Sequence, residues 1–245
     1  MKKWLTNIAN QYPVILQALL FGLVLLIAVI EEFSLLPTLV FFLVSIWLYR
    51  KNKPVQKTPI ALLSTLIISP ILINIFNQER GLLPLIIILS FIFFLILGIS
   101  TASFNKRKDW YYLLVVILFY LASIIFFSLD RSTPLFLESV LFAVFTLLTY
   151  REFFRVNGYK SKTPVRVILL VISLTTLQLT WILLLMPIHF TVAASITTLY
   201  AFTILETLIR HLQLSLTPRY IRLQIMVFVL LTIILLTIPN FSITG

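Results

Sequence analysis

Long, unbroken apolar runs alternate with short polar turns along the whole chain. The runs show neither the two-residue alternation of a half-buried strand nor the single apolar stripe of a soluble amphipathic helix. Nine of them cover residues 14–30, 33–49, 60–76, 82–102, 110–129, 135–150, 165–186, 191–209 and 222–238. Each approaches the roughly 20 residues that a helix needs to cross about 30 Å of hydrocarbon. Backbone polar groups in lipid must be satisfied within their own segment, so such runs fold as helices. A barrel would need short alternating strands instead. The pattern predicts an all-α integral membrane bundle, a single transmembrane helical domain over residues 1–245 with short loops.

Before the first run, "KKWLTNIANQY" places Trp4, Leu5, Ile8 and Tyr12 on one helical face. Residues 1–13 are therefore expected to form an interfacial segment. The first run ends "LIAVIEEF" without a small-residue cleavage site, so it reads as a true span and not as a signal peptide. Four later runs begin alike, at Thr58–Pro59, Thr133–Pro134, Thr163–Pro164 and Thr217–Pro218. Each pair offers a capping hydroxyl followed by proline at the first helical position. The segments "YRKNKPVQKTP" (49–59) and "YREFFRVNGYKSKTP" (150–164) share a Tyr-Arg start and a Lys-Thr-Pro end. They suggest tandem four-helix repeats over 14–102 and 110–209, with 222–238 as an extra C-terminal helix; stock membrane-protein loops would look the same.

Charge adds orientation. With a cytoplasmic N-terminus, the inner segments hold Lys2, Lys3, Arg50, Lys51, Lys53, Lys57, Lys106, Arg107, Lys108, Arg151, Arg155, Lys160, Lys162, Arg166, Arg210, Arg219 and Arg222. Only Arg80 and Arg131, of 19 Lys and Arg, fall outside. The positive-inside rule thus predicts an N-in, C-out topology, and one misplaced span would scramble the bias from that point on. Trp4, Trp47, Tyr49, Trp110, Tyr111, Tyr112, Tyr150 and Tyr220 cluster at the same inner boundary, as an interfacial belt does.

Composition agrees. The chain is 60% hydrophobic and 11% charged, against about 45–50% and about 25% in soluble domains. The net charge of +11 is scattered over short loops, with no stripe or aromatic platform for nucleic acid. The expected partners are the lipid bilayer and a protein subunit or second copy. The localisation is integral to a membrane, cytoplasmic or plasma membrane in a prokaryote. Absence of Cys excludes disulfides, iron–sulfur clusters and thiolate zinc sites.

Placed on this topology, the outer turns collect Glu31, Glu32, Glu79, Arg80, Asp130, Arg131, Glu138 and His189. The plain explanation is that turns between spans need polar residues, and that Glu138 favours the positive end of its helix. If the turns converge, Glu31, Glu32, Asp130 and His189 are the catalytic candidates, with His189 as acid or base. Glu31 and Glu32 are the candidate ligands of a divalent metal, the one cofactor such a cluster would take. Arg80, Arg131 and Glu138 are candidate substrate contacts, the arginines for phosphate or carboxylate. Acids in the first outer turn resemble, in that feature alone, integral-membrane glycosyltransferases that use polyprenyl-phosphate sugar donors. Those enzymes carry a longer first outer loop, and membership is not assigned. "EEFSLL" also lacks the arginine that follows a Glu pair in prenyl-endopeptidase-type intramembrane proteases.

For transport, Thr198 and Glu206 are the candidate contacts, on a face of the eighth run shared with Thr191 and Ser195. Ser173, Thr176 and Thr180 share a face of the seventh. Both sets are more often interhelical glue than a substrate lining, and Arg210, four residues after Glu206, makes an intrahelical pair the simpler account. Neither H-E-x-x-H, G-x-S-x-G nor a Gly-rich phosphate loop occurs. Only five glycines occur, fewer than helices that slide or unwind tend to use. Three classes follow: a non-enzymatic scaffold or accessory subunit, which sparse glycine and missing motifs favour; a small permease or lipid transporter; and a polyprenyl-phosphate-type transferase with an outer acidic site.

Overall fold

The computed structural model describes residues 2–51, 58–76, 82–101, 104, 107–129, 135–158 and 163–237. Among them the chain forms nine helices and no strand: α1 (Lys2–Ile30), α2 (Leu35–Lys51), α3 (Pro59–Phe76), α4 (Leu82–Ser100), α5 (Arg107–Ser128), α6 (Leu135–Val156), α7 (Thr163–Leu185), α8 (Phe190–Leu212) and α9 (Pro218–Thr237). Seven are long and apolar enough to cross a membrane, counting Tyr12–Ile30 of α1 and Val165–Leu185 of α7. Of the other two, α2 is short at 17 residues, and α6 carries Glu138, Arg151, Glu152 and Arg155 among its 22. The protein is an all-α, multi-pass membrane protein. Residues 2–13 continue into α1 without a break, with Pro13 inside the helix.

The helices pack as two compact units, Met1–Leu118 with Leu148–Ser161, and Phe119–Leu147 with Lys162–Gly245. In the first, α1 packs on α2 and α4, and α3 on α4. Its centre is aromatic: the Phe21 ring stacks on Phe93 at 4.2 Å and lies 5.4 Å from Phe41. A Cβ at Gly22 would overlap the Ser90 hydroxyl, so glycine is what lets α1 approach α4 here. The Ser90 hydroxyl itself donates to the Ile86 carbonyl at 2.7 Å.

In the second unit α7 packs on α8 and α8 on α9. Leu183, Ala193 and Ile196 form a buried cluster with Phe127, Leu179, Ile188, Val192 and Leu235 around it. Two polar bonds tie α7 to α6: Trp181 Nε1 donates to Ser139 Oγ and Ser173 Oγ to the Ala143 carbonyl, both at 2.8 Å. The expected hydroxyl glue is thus present at Ser173, whereas Thr176 and Thr180 bond back to their own helix, at Ile172 and Leu177. Helix α9 has no buried residue.

The Thr-Pro helix starts divide. At α9 the Thr217 hydroxyl accepts from Tyr220 N–H at 3.3 Å, as a cap should. At α3 the expectation is corrected. Ile60 and Ala61, whose N–H groups a Thr58 hydroxyl would serve, bond instead to a carboxylate far along the chain. Thr163 already lies within α7, and Thr133–Pro134 lies outside the described residues.

Candidate functional site

That carboxylate is Glu152, near the C-terminal end of α6 and 1% exposed. Helix α6 runs six residues past its apolar run, to Val156. Its last turns bury Thr149, Tyr150, Glu152, Phe153, Phe154 and Val156 while Arg151 and Arg155 are exposed. An acid therefore sits within an apolar surface of the helix.

Four donors converge on it. Oε2 accepts from Ile60 N–H at 2.8 Å and Oε1 from Ala61 N–H at 3.1 Å. The Tyr111 hydroxyl of α5 donates to Oε1 at 2.9 Å. Arg155 Nη2, three residues on, donates to Oε2 at 3.2 Å. Beside them Thr58 N–H donates to the Tyr49 hydroxyl of α2 at 2.8 Å. Tyr49, Thr58 and Tyr111 are all buried. Ends of α2, α3, α5 and α6 are thereby joined through one polar cluster.

The local chemistry explains the arrangement. Proline at the first position of α3 removes one orphan donor, and the next two N–H groups point out of the helix end. A carboxylate facing them meets the positive end of the helix dipole. A carboxylate offers about four lone-pair sites, and here four donors occupy them. Such an acid has no free lone pair for a metal or a substrate proton. The arrangement is built to hold helices together.

The described catalytic, metal and substrate candidates named from the sequence lie elsewhere. Glu31 and Glu32 are exposed in the α1–α2 turn, where Glu32 and Phe33 take left-handed φ of 50° and 51°. They belong to the first unit, and Glu138 and His189 to the second. Glu138 is half-buried in the first turn of α6. His189 is the N-cap of α8: its Nδ1 lies 3.4 Å from Thr191 N–H and 2.7 Å from the Thr191 hydroxyl. Arg80, Asp130 and Arg131 lie outside the described residues. Among the described residues no three His, Asp or Glu side chains come close enough to hold a metal ion. Thr198 is buried and donates to the Ala194 carbonyl at 2.8 Å. Glu206 accepts from Arg210 Nε at 3.0 Å, the intrahelical pair expected, and from the Tyr220 hydroxyl of α9 at 3.3 Å.

Glu152 was the residue missed. It lies two residues beyond the sixth apolar run, among basic residues, where the sequence reads as a loop. The available signal was the helical stripe Thr149, Glu152, Phe153, Val156, which prolongs the apolar face with one acid inside it.

A second feature of the first unit is an open apolar groove of about 500 Å³ along α1 and α4. Ala18, Gly22, Ile86 and Ser90 are among the residues lining it. Compared with known proteins, the chain matches no family model, no curated protein and no solved structure.

Proposed function

We propose that the protein is a non-enzymatic membrane component, a scaffold or accessory subunit whose apolar faces meet another hydrophobic subunit. The supporting observation is the fate of its polar groups. The deeply buried carboxylate is saturated by the chain's own donors, while α9 presents a membrane-length helix without one buried residue. Internal closure of that kind suits a body that is recognised, and an open reactive centre would leave acceptor sites unfilled.

All nine helices cross the membrane in this proposal, with the N-terminus cytoplasmic and the C-terminus outside. The distribution of Lys and Arg supports it. Because the chain has no Cys, single substitutions report each side: Glu32→Cys labels from outside with an impermeant reagent and Lys53→Cys does not. Labelling of Lys53→Cys from outside would falsify the topology.

Native mass spectrometry of the protein gently extracted from its own membrane tests the role. A stoichiometric protein partner is the expected outcome. Recovery of the chain alone, or with lipid only, overturns it.

One observation favours a second reading, a small permease. The hydroxyls of Ser123 and Thr197, both fully buried within the second unit, have no hydrogen-bond partner among the described residues. Buried unpaired hydroxyls in an apolar bundle suit a polar solute or water passing between helices. Solute flux in proteoliposomes that Thr197→Val abolishes would establish that reading.

A further inference from the structure

Helix α8 ends on an unexpected residue. Ser215 N–H returns to the Arg210 carbonyl at 3.0 Å and Leu214 N–H to the His211 carbonyl at 3.1 Å. This pair of bonds closes a helix around one residue in the left-handed region, a place where glycine avoids the Cβ penalty. Leucine occupies it, at φ 55°. Among the described residues nothing covers its side chain, which is 94% exposed. The backbone is held in a costly conformation that carries an apolar side chain away from the fold.

Basic residues flank it on both sides. Arg210 and His211 precede it in the last turn of α8. Arg219 and Arg222 follow in the first turns of α9, where a spacing of three places them on one face. The first turn of α9 has no acid, so the positive end of the helix adds to the same field. Arg210 is already engaged, with Glu206 and with the Tyr220 ring, its guanidinium 4.0 Å from the centroid. That contact holds the two helix ends together and leaves Arg219 and Arg222, both exposed, with no acidic partner among the described residues.

We infer that the α8–α9 turn is a docking surface for anionic phospholipid, with Arg219 and Arg222 taking the headgroup phosphate and Leu214 entering the acyl boundary beside it. Charge complementarity selects an anionic partner. A lipid is that partner because both helices leading into the turn are of membrane length, which places the turn where headgroup meets chain. An exposed leucine among arginines fits that boundary, apolar on one side and charged on the other. The surface is independent of the accessory role proposed above.

The test uses the full chain in nanodiscs, carrying Ser215→Cys with a fluorophore, and spin-labelled lipids as quenchers. Labelled phosphatidylglycerol is expected to quench several-fold more strongly than labelled phosphatidylcholine. Arg219→Gln combined with Arg222→Gln should bring the two to parity. Leu214→Gly should weaken quenching by both lipids while the thermal midpoint holds or rises, because glycine relieves the left-handed residue. Equal quenching in the unsubstituted turn, or a preference that survives the double substitution, overturns the proposal. So does full reversal of the preference by inorganic phosphate, which would mark a site for the free anion.

Discussion

Glu152 and Glu206 are built from the same parts and behave as opposites. Each lies toward the C-terminal end of its helix, with an arginine one turn on and a tyrosine donating to it from a neighbouring helix. Each neighbours a Thr-Pro helix start, that of α3 or that of α9. Glu152 reaches past Thr58 and takes the backbone donors of α3 itself. Glu206 stops at Tyr220, and the Thr217 hydroxyl caps α9 instead. The Glu152 side chain is fully buried and that of Glu206 is 27% exposed. The difference shows that a carboxylate in a membrane protein is defined by the donors it faces. The arginine partner is common to both, and Arg155, its side chain 55% exposed, adds little to the buried one.

The contrast breaks or holds first at Glu152→Gln. The amide keeps one acceptor oxygen but turns an NH2 toward groups that are themselves donors. Unmade bonds to a buried charged group make a loss of about 3 kcal/mol the expected result. Unfolding of the purified protein in mixed micelles measures it, with Glu206→Gln alongside. Equal losses at the two sites would dissolve the distinction. Tyr111→Phe comes next, removing one donor and leaving the carboxylate its other three. A loss of about 1–2 kcal/mol is expected, and the double change with Glu152→Gln should cost less than the sum, because the two share one bond.

The uneven legibility of the chain has the same origin. Helices of this kind are written in local composition, so among the described residues each apolar run reappears as a helix, with ends shifted by at most six residues except at α1, which begins at Lys2, twelve before its run. The intrahelical pair of Glu206 and Arg210 was also readable, since a spacing of four is local. Glu152 was not readable in that way. Its donors Ile60 and Ala61 lie 92 and 91 positions away, and such a distance is closed only by tertiary packing. For the same reason the Thr58 cap was expected and is absent: the local rule was sound, and a stronger acceptor from another helix displaced it.

Those two threonines offer a smaller and cleaner test, because sequence context alone treats them alike. Thr217→Val removes a hydroxyl that caps α9 and is expected to lose about 1 kcal/mol. Thr58→Val removes one that lies 3.4 Å from the Tyr49 hydroxyl, with its helix already capped by Glu152. A loss below about 0.5 kcal/mol is expected there, since the donors it would serve keep their partners. In a Glu152→Gln background the Thr58 hydroxyl becomes the available cap, and Thr58→Val should then lose more than it does alone.

The smallest effect belongs to Glu206→Gln, and salt separates it from its counterpart. The pair with Arg210 is open to solvent on both sides, so mobile ions screen it. Its loss should be a small fraction of that at Glu152 in low salt and vanish as salt is raised. The Arg210 guanidinium still has the Tyr220 ring beneath it, which holds α8 to α9 without the carboxylate. The Glu152 loss should not change over the same series, because ions do not reach a carboxylate sealed by four donors. A salt-dependent loss at Glu152 would mean that water enters the cluster, and the four-helix junction would then be a surface ion pair.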